Sequence, residues 1–393
     1  MGLRIHRILA EASVQTLEAV LRGGAVADRA VARALGAHPK WGARDRAFVA
    51  ETVYEVVRWQ RRLAFLACSG ESAVLAGLHW QMRGFERPEW AEWPVVSSEN
   101  LAARQAQLEH EPRAVRESVS DDLDALGMAG LGAAWEEELR ALNTPAPVFL
   151  RTNPLRTSVE KVIDELAAEG LTAVPVAGVP LALRLECPLP PRLRQTGRYE
   201  IQDAASQQVA AFCQVKPGDL IVDACAGHGG KSLHLAALQG GQGELWALDI
   251  QEARLKVLRE RAARAGVKRL RTAVIEARIL ESLRGRADCV LVDAPCSGSG
   301  TLRRQADLKY RITAESVAEK AALQRELLAR FAPLVKPGGA LVYATCSIFP
   351  EENEAQKAWF SAANVEFRLE EERRISPAAT GWDGFYMARW RRG

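Results

Sequence analysis

Two cysteines carry the chemistry that this sequence could do. Cys296, in DAPCSGSG, and Cys346, in ATCS, each follow a short hydrophobic run that reads as a strand, and small residues surround both. A thiolate adding to C6 of a pyrimidine turns the ring into an enamine-like nucleophile whose C5 can take a methyl group. A base must then remove the C5 proton so that the thiol can leave. Two thiols and a carboxylate suffice for that sequence of steps. Asp293 could hold the amino group and N3 edge of a cytosine and favour protonation as the adduct forms. A lone cysteine is more often inert packing, the reading given to Cys68, Cys187, Cys213 and Cys289.

A nucleotide site is written upstream. Asp223 ends the first strand, in DLIVDAC (219–225), Cys225 and Ala226 come next, and Gly227, Gly229 and Gly230 let the backbone turn closely around a ligand before a helix begins at about Lys231. Asp249 ends the next strand, where an acidic side chain can accept from ribose hydroxyls. Together they imply an adenosine-bearing cofactor. NAD would prefer a third glycine where Ser232 stands. A phosphate-binding loop would need a glycine where Cys225 stands. S-adenosylmethionine needs no diphosphate cradle, and Asp223 and Asp249 suit a cofactor whose sulfonium and ammonium are positive. Glycine turns of this composition serve many doubly wound folds, so the loop alone does not choose.

These residues need elements to hold them at one place. From Tyr199 onward, short hydrophobic strands alternate with amphipathic helices, at 219–225, 244–249, 288–296 and 338–346 for the clearest strands and 314–331 for the longest helix. The pattern predicts a mostly parallel sheet with ligands beyond the carboxyl ends of its strands. Residues 146–198 read as a small α+β module, with a helix capped by Thr157 or Ser158 and closed by Gly170. Its arginines, Arg151 among them, suit a substrate-holding module or a mere brace. Residues 1–142 read as a helical domain.

Charge is uneven rather than extreme: the formal net charge is +3, with 11 basic and 7 acidic side chains in residues 1–75 against 6 and 13 in residues 76–145. A polyanion would meet local basic surfaces, of which Arg44, Arg46, Arg58, Arg61 and Arg62 beside Trp41 and Trp59 form the most suggestive. Arg58, Arg61 and Arg62 lie within about one turn of a helix, so at least two of them are expected to share a face and meet phosphates. The seven cysteines form neither a disulfide framework nor a CxxC metal knuckle, so no metal site and a cytoplasmic setting are expected. No run of 18 apolar residues and no secretory signal pattern are found, and no membrane partner is expected.

At this point the motifs become specific. DACAGHGGKSLH (223–234), VDAPCSGSGTLRR (292–304), DLKYR (307–311) and YATCSIFPEENE (343–354), flanked by IQDAASQ and GWDGFYMAR, resemble the sequence blocks of the Sun/RsmB-like family of RNA cytosine-5 methyltransferases. The resemblance covers 199–393. It implies an α/β, Rossmann-like class I S-adenosylmethionine-dependent methyltransferase domain at 199–393, preceded by the small α+β subdomain at 146–198 and an all-helical, NusB-like RNA-binding domain at 1–142. It implies that Cys346 attacks C6, that Cys296 assists proton removal and release, that Asp293 contacts the cytosine, and that Lys231 lies between cofactor and target. Asp223, Cys225, Ala226, Gly227, Gly229, Gly230, Lys231, Asp249, Glu276 and Asp293 would line the cofactor site.

Two positions depart from the family pattern. Gly227-His228 replaces an Ala-Pro pair, and Glu276 stands where the family has an aspartate near the adenine. The resemblance implies a monomer acting on RNA, with small-subunit ribosomal RNA favoured over transfer RNA by the NusB-like extension. A rival from another class is an RNA-binding assembly factor with a vestigial methyltransferase fold; the survival of both cysteines argues against it.

Overall fold

Alternating apolar strands and amphipathic helices decide the architecture of residues 145–301 and 315–393, one of the two units into which the chain divides. The computed structural model describes residues 4–393. In this unit a small antiparallel sheet comes first, from strands β1 (Val148–Thr152), β2 (Ala173–Val176), β3 (Val179–Leu185) and β4 (Tyr199–Ile201) in the order β2-β3-β1-β4. Ser158 is the cap of its helix Val159–Ala168, accepting from the amide of Lys161. The large sheet follows, from β5 (Leu220–Asp223), β6 (Glu244–Asp249), β7 (Leu270–Val274), β8 (Ala287–Asp293), β9 (Val335–Thr345), β10 (Phe367–Ile375) and β11 (Phe385–Arg392). Its order is β10-β11-β9-β8-β5-β6-β7, parallel from β9 through β7 and antiparallel at β11 and β10.

Both faces of this sheet are covered, which is why β8 and β9 read as unbroken apolar runs. Val290, Val292, Leu341 and Tyr343 pack into a core on one side, while Cys289, Leu291, Val342 and Ala344 pack on the other. This mostly parallel order is the one expected from the strand and helix rhythm, and it is that of the Rossmann-like α/β class. The closing β10–β11 hairpin and the helices Ala277–Leu283 and Glu354–Ala363 extend that rhythm beyond the elements read from the sequence.

The α+β part braces the glycine loop that follows β5. Arg151 on β1 is buried, donates to the carbonyl of Gly230 at 2.6 Å and bonds Gln202, so it faces inward rather than toward a polyanion. Burial pushes its pKa down to about 10, which leaves the guanidinium charged at neutral pH.

The second unit comprises residues 4–144 together with Leu302–Ala314. Helices pack around Leu17, Val53, Val56, Leu66, Leu75 and Trp80. Arg58 drops out of the expected phosphate-facing group, because the helix Ala43–Arg58 stops at Arg58 and a new helix, Gln60–Ala67, begins after Trp59 and carries Arg61 and Arg62. Arg58 is buried, pairs with Glu55 at 3.0 Å and donates to the carbonyl of Arg303 at 2.9 Å. Arg61 reaches Asp121 and the Val119 carbonyl, both at 2.7 Å. Arg62 stacks over Trp59, and Trp41 stacks on His38. Among the described residues no single helix is long and apolar enough to cross a membrane.

Arg58 is therefore expected to contribute stability rather than affinity. Arg58→Ala should lower the unfolding free energy by about 1–3 kcal/mol, the usual cost of losing charge-assisted hydrogen bonds in a buried setting. Chemical denaturation checks this, and a variant as stable as the parent would return Arg58 to a surface role.

Candidate active site

Every strand that carries a candidate residue ends at the same edge of the large sheet. Asp223 closes β5, Asp249 closes β6, Asp293 closes β8, and Cys346 follows the last residue of β9. Parallel pairing of β8 with β9 sets Asp293 opposite Ala344, so the loops that leave these two strands start side by side. Cys296 and Cys346 meet there with their sulfurs 3.3 Å apart, both thiols free.

Backbone and side-chain bonds stitch the two loops together. The Gly300 amide donates to the Cys346 carbonyl at 2.9 Å, the Ser299 and Ser347 hydroxyls share a bond of 3.0 Å, and the Ile348 amide donates to Ser299 Oγ at 3.0 Å. Gly300 lies so close to the backbone of Gly384 that an added Cβ would come within 2.2 Å of its carbonyl oxygen. Only glycine fits that approach.

Lys231, in the first turn of the helix Gly230–Leu238, reaches across to Asp293 at 2.6 Å and lies over the ring of Phe385. Burial works against its ammonium, but the charge and hydrogen bond of Asp293, with Cys346 adding to them, hold its pKa above the ordinary lysine value. The hydrogen bond with Cys346, then burial and the charges of Cys346 and Glu352, push the Cys296 thiol well above its ordinary value. Cys296 thus keeps its proton at neutral pH and can donate it toward the sulfur of Cys346.

The glycine loop lies beside this pair. Gly227 and Gly229 adopt positive φ, at 53° and 86°, and a Cβ on Gly229 would strike Leu258. Asp249 accepts from the amides of Gly227 at 2.9 Å and Gln251 at 2.8 Å, which ties the loop to the end of β6. Asp223 is buried; Ser232 donates to its Oδ2 at 2.6 Å, while its Oδ1 has no partner among the described residues. Desolvation lifts its pKa to about 7. Cys225 and Ala226 line the start of the turn, with burial raising the Cys225 thiol, and His228 points outward. Glu276 sits exposed beyond β7, paired with Arg278 at 2.8 Å.

Sequence reasoning had singled out neither Glu352 nor Gln324. Both are fully buried. Glu352 accepts from the amide and hydroxyl of Ser297 and from Gln324, and Gln324 donates to the Pro295 carbonyl. The signal available was three acidic residues in PEENE directly after a cysteine-bearing strand end.

The chain matches a family model described as 16S rRNA methyltransferase RsmB/F over residues 210–391, and a ferredoxin-like domain of RsmF/B-like methyltransferases over 128–191. It is 38% identical over 247 residues to a probable ribosomal RNA small subunit methyltransferase B of a Synechocystis species. That match covers 61% of this chain and 55% of the relative, so it spans little more than half of that protein's length. Against ribosomal RNA small subunit methyltransferase B of Xylella fastidiosa the identity is 35% over 351 residues, 85% of this chain and 75% of the relative. Among solved structures, that of PH0851 superposes with a TM-score of 0.80 at 26% identity, covering 99% of this chain and 100% of that one.

The raised pKa of Asp223 makes stability depend on pH. Between about pH 4 and pH 7 the folded protein holds a proton that the unfolded chain has released, so this group's contribution to stability falls as pH rises through that window. Asp223→Asn should remove the penalty, leaving the variant more stable than the parent by on the order of 2 kcal/mol at pH 8 and about equal at pH 4. Urea midpoints at the two pH values check it; parallel losses at both would mean the carboxyl is already ionised without cost.

Proposed function

The chain belongs to the RsmB/F family of methyltransferases, and from that premise we propose that it is an S-adenosylmethionine-dependent RNA cytosine-5 methyltransferase acting on a cytidine of small-subunit ribosomal RNA through a covalent Cys346–C6 adduct. The observation that carries this reading is the pair of free thiols 3.3 Å apart at the ends of neighbouring parallel strands, beside the Lys231–Asp293 ion pair. Inert packing cysteines have no need of a serine-stitched double loop and a buried cation next to them.

The residues around the glycine loop fit the cofactor. Asp223 offers a buried oxygen with no partner among the described residues, and Asp249 offers a carboxylate already anchored by two amides, each suited to a donor on a positively charged adenosine ligand. Gly227 and Gly229 supply the positive φ angles of the turn that a ligand would approach, and Gly230 opens the helix behind it. When bound, S-adenosylmethionine supplies an electrophilic methyl group that C5 can take.

The chain's own residues then do the rest. Cys346 forms the S–C6 bond and the displaced electron pair moves through the ring to N3, which takes a proton from solvent; Asp293, as carboxylate, accepts from that N3–H until the proton leaves again as C5 takes the methyl group. Lys231 keeps Asp293 oriented and faces the Cys346 sulfur with positive charge. Once Cys346 is bonded to carbon, Cys296 loses the partner whose hydrogen bond most raises its proton affinity. Its thiol can then release a proton to solvent and, as thiolate, take the C5 proton. Elimination re-forms the C5–C6 double bond and returns Cys346 as thiolate.

The division of labour has a direct test. Cys296→Ala should still permit attack and methyl transfer but eliminate slowly, so that protein accumulates attached to methylated RNA as a slower band on a denaturing gel, lost on ribonuclease digestion. Cys346→Ala and the double variant should form no such band. A folded Cys296→Ala protein that binds RNA and cofactor yet traps nothing would overturn the assignment.

A further inference from the structure

The loop that carries Cys296 is gripped on both sides of the cysteine, and the grip comes from two buried residues, Gln324 and Glu352. On one side the Pro295 carbonyl accepts from Gln324 Nε2 at 3.1 Å. On the other side Glu352 accepts from the Ser297 amide at 2.8 Å and the Ser297 hydroxyl at 2.5 Å. Gln324 also donates to Glu352 Oε1 at 3.0 Å, which closes the clamp into one unit. Glu352 is in turn fixed by Tyr343, whose hydroxyl donates to the Glu352 carbonyl at 2.6 Å.

We propose that Glu352, assisted by Gln324, is the positioning residue for Cys296: the clamp holds the thiol against Cys346 and keeps a fixed negative charge beside it. A fully buried carboxylate is costly unless its lone pairs are filled, and here three donors fill them. Two of these donors belong to the residue next to Cys296. A purely structural anchor could have been a neutral amide. A carboxylate adds charge, and a fixed negative charge near a thiol makes its thiolate a stronger base.

The titratable groups facing Cys296 are few. Cys346 and Glu352 raise its proton affinity, Tyr343 is a buried neutral phenol on β9, and the Lys231–Asp293 pair faces the Cys346 sulfur. When Cys346 is consumed in the adduct its influence ends, and the charge of Glu352 persists. The thiolate of Cys296 then remains basic at the step at which the C5–H bond breaks, the proton goes to sulfur and the C6–S bond opens.

This inference rests on the reading of Cys346 as nucleophile and Cys296 as release base, and the test separates the two. Full-length Glu352→Gln is compared with the parent in two assays. Without RNA, iodoacetamide alkylation of Cys296 is followed against pH by peptide mass spectrometry; the midpoint should fall by about one pH unit or more as the charge is removed. With small-subunit ribosomal RNA and cofactor, release of methylated product should slow on the order of 10²-fold, with the covalent band accumulating as in Cys296→Ala.

An unchanged alkylation midpoint overturns the role of Glu352 whatever the RNA assay reports. Failure of Cys296→Ala to trap RNA, with the midpoint shifted, overturns the function of Cys296 and leaves the clamp standing. Should Glu352→Gln melt below the assay temperature, Gln324→Met and Ser297→Ala each remove part of the clamp; release at the parental rate in both overturns the proposal, and several-fold slower release in either supports it.

Discussion

Parallel pairing of β8 with β9 is the constraint on which the rest of the site depends. A parallel register sends both strands out at the same edge, so Cys346 arrives beside Asp293 and Cys296, which lie some 50 residues earlier, without any long-range loop having to find its place. An antiparallel pair would have sent the two cysteines to opposite ends. The sheet stays in this register because both of its faces are buried, and sliding a strand by one residue would exchange the contents of the two cores.

Several charges sit inside the protein, each satisfied by a different device. Lys231 and Asp293 neutralise each other, Arg151 rests on a carbonyl of the glycine loop, and Glu352 is surrounded by donors. Asp223 is the exception, with one oxygen unpartnered and a pKa of about 7. A buried, half-satisfied carboxyl destabilises the fold that holds it, and proteins retain such groups where a ligand completes them. The contrast between a filled Glu352 and an unfilled Asp223 separates a group that positions from a group suited to binding.

Much of this was legible in the sequence where one physical rule governs. Unbroken apolar runs ending in Asp223, Asp249 and Asp293 could only be strands buried on both faces, and their ends fixed where to look. Arg58 misled because a periodicity argument assumes one helix, and Trp59 breaks that helix between Arg58 and Arg61. β10, FRLEEERRI, was illegible for another reason: as an edge strand it carries charge on both faces and loses the alternation by which strands are read. Glu352 was hidden because a carboxylate in PEENE looks solvated until three-dimensional packing buries it and brings Ser297 and Gln324 to it.

The path of the chain adds a last step. After the loop bearing Cys296, residues Leu302–Ala314 leave the catalytic unit and pack in the helical one, where Lys309 is buried and donates to the Arg58 and Glu117 carbonyls and to Asn143 Oδ1. The chain then returns as the helix Ala314–Phe331, which delivers Gln324 to the Pro295 carbonyl. Both ends of the inserted segment are thus joined covalently to groups that hold Cys296. Burial pulls the Lys309 pKa well down, against the pull of Glu117 and Glu55, and an ammonium so placed is kept only because three acceptors and the Trp59 ring receive it. A cation buried at that cost makes the insertion a fixed point of the helical unit rather than a loose loop.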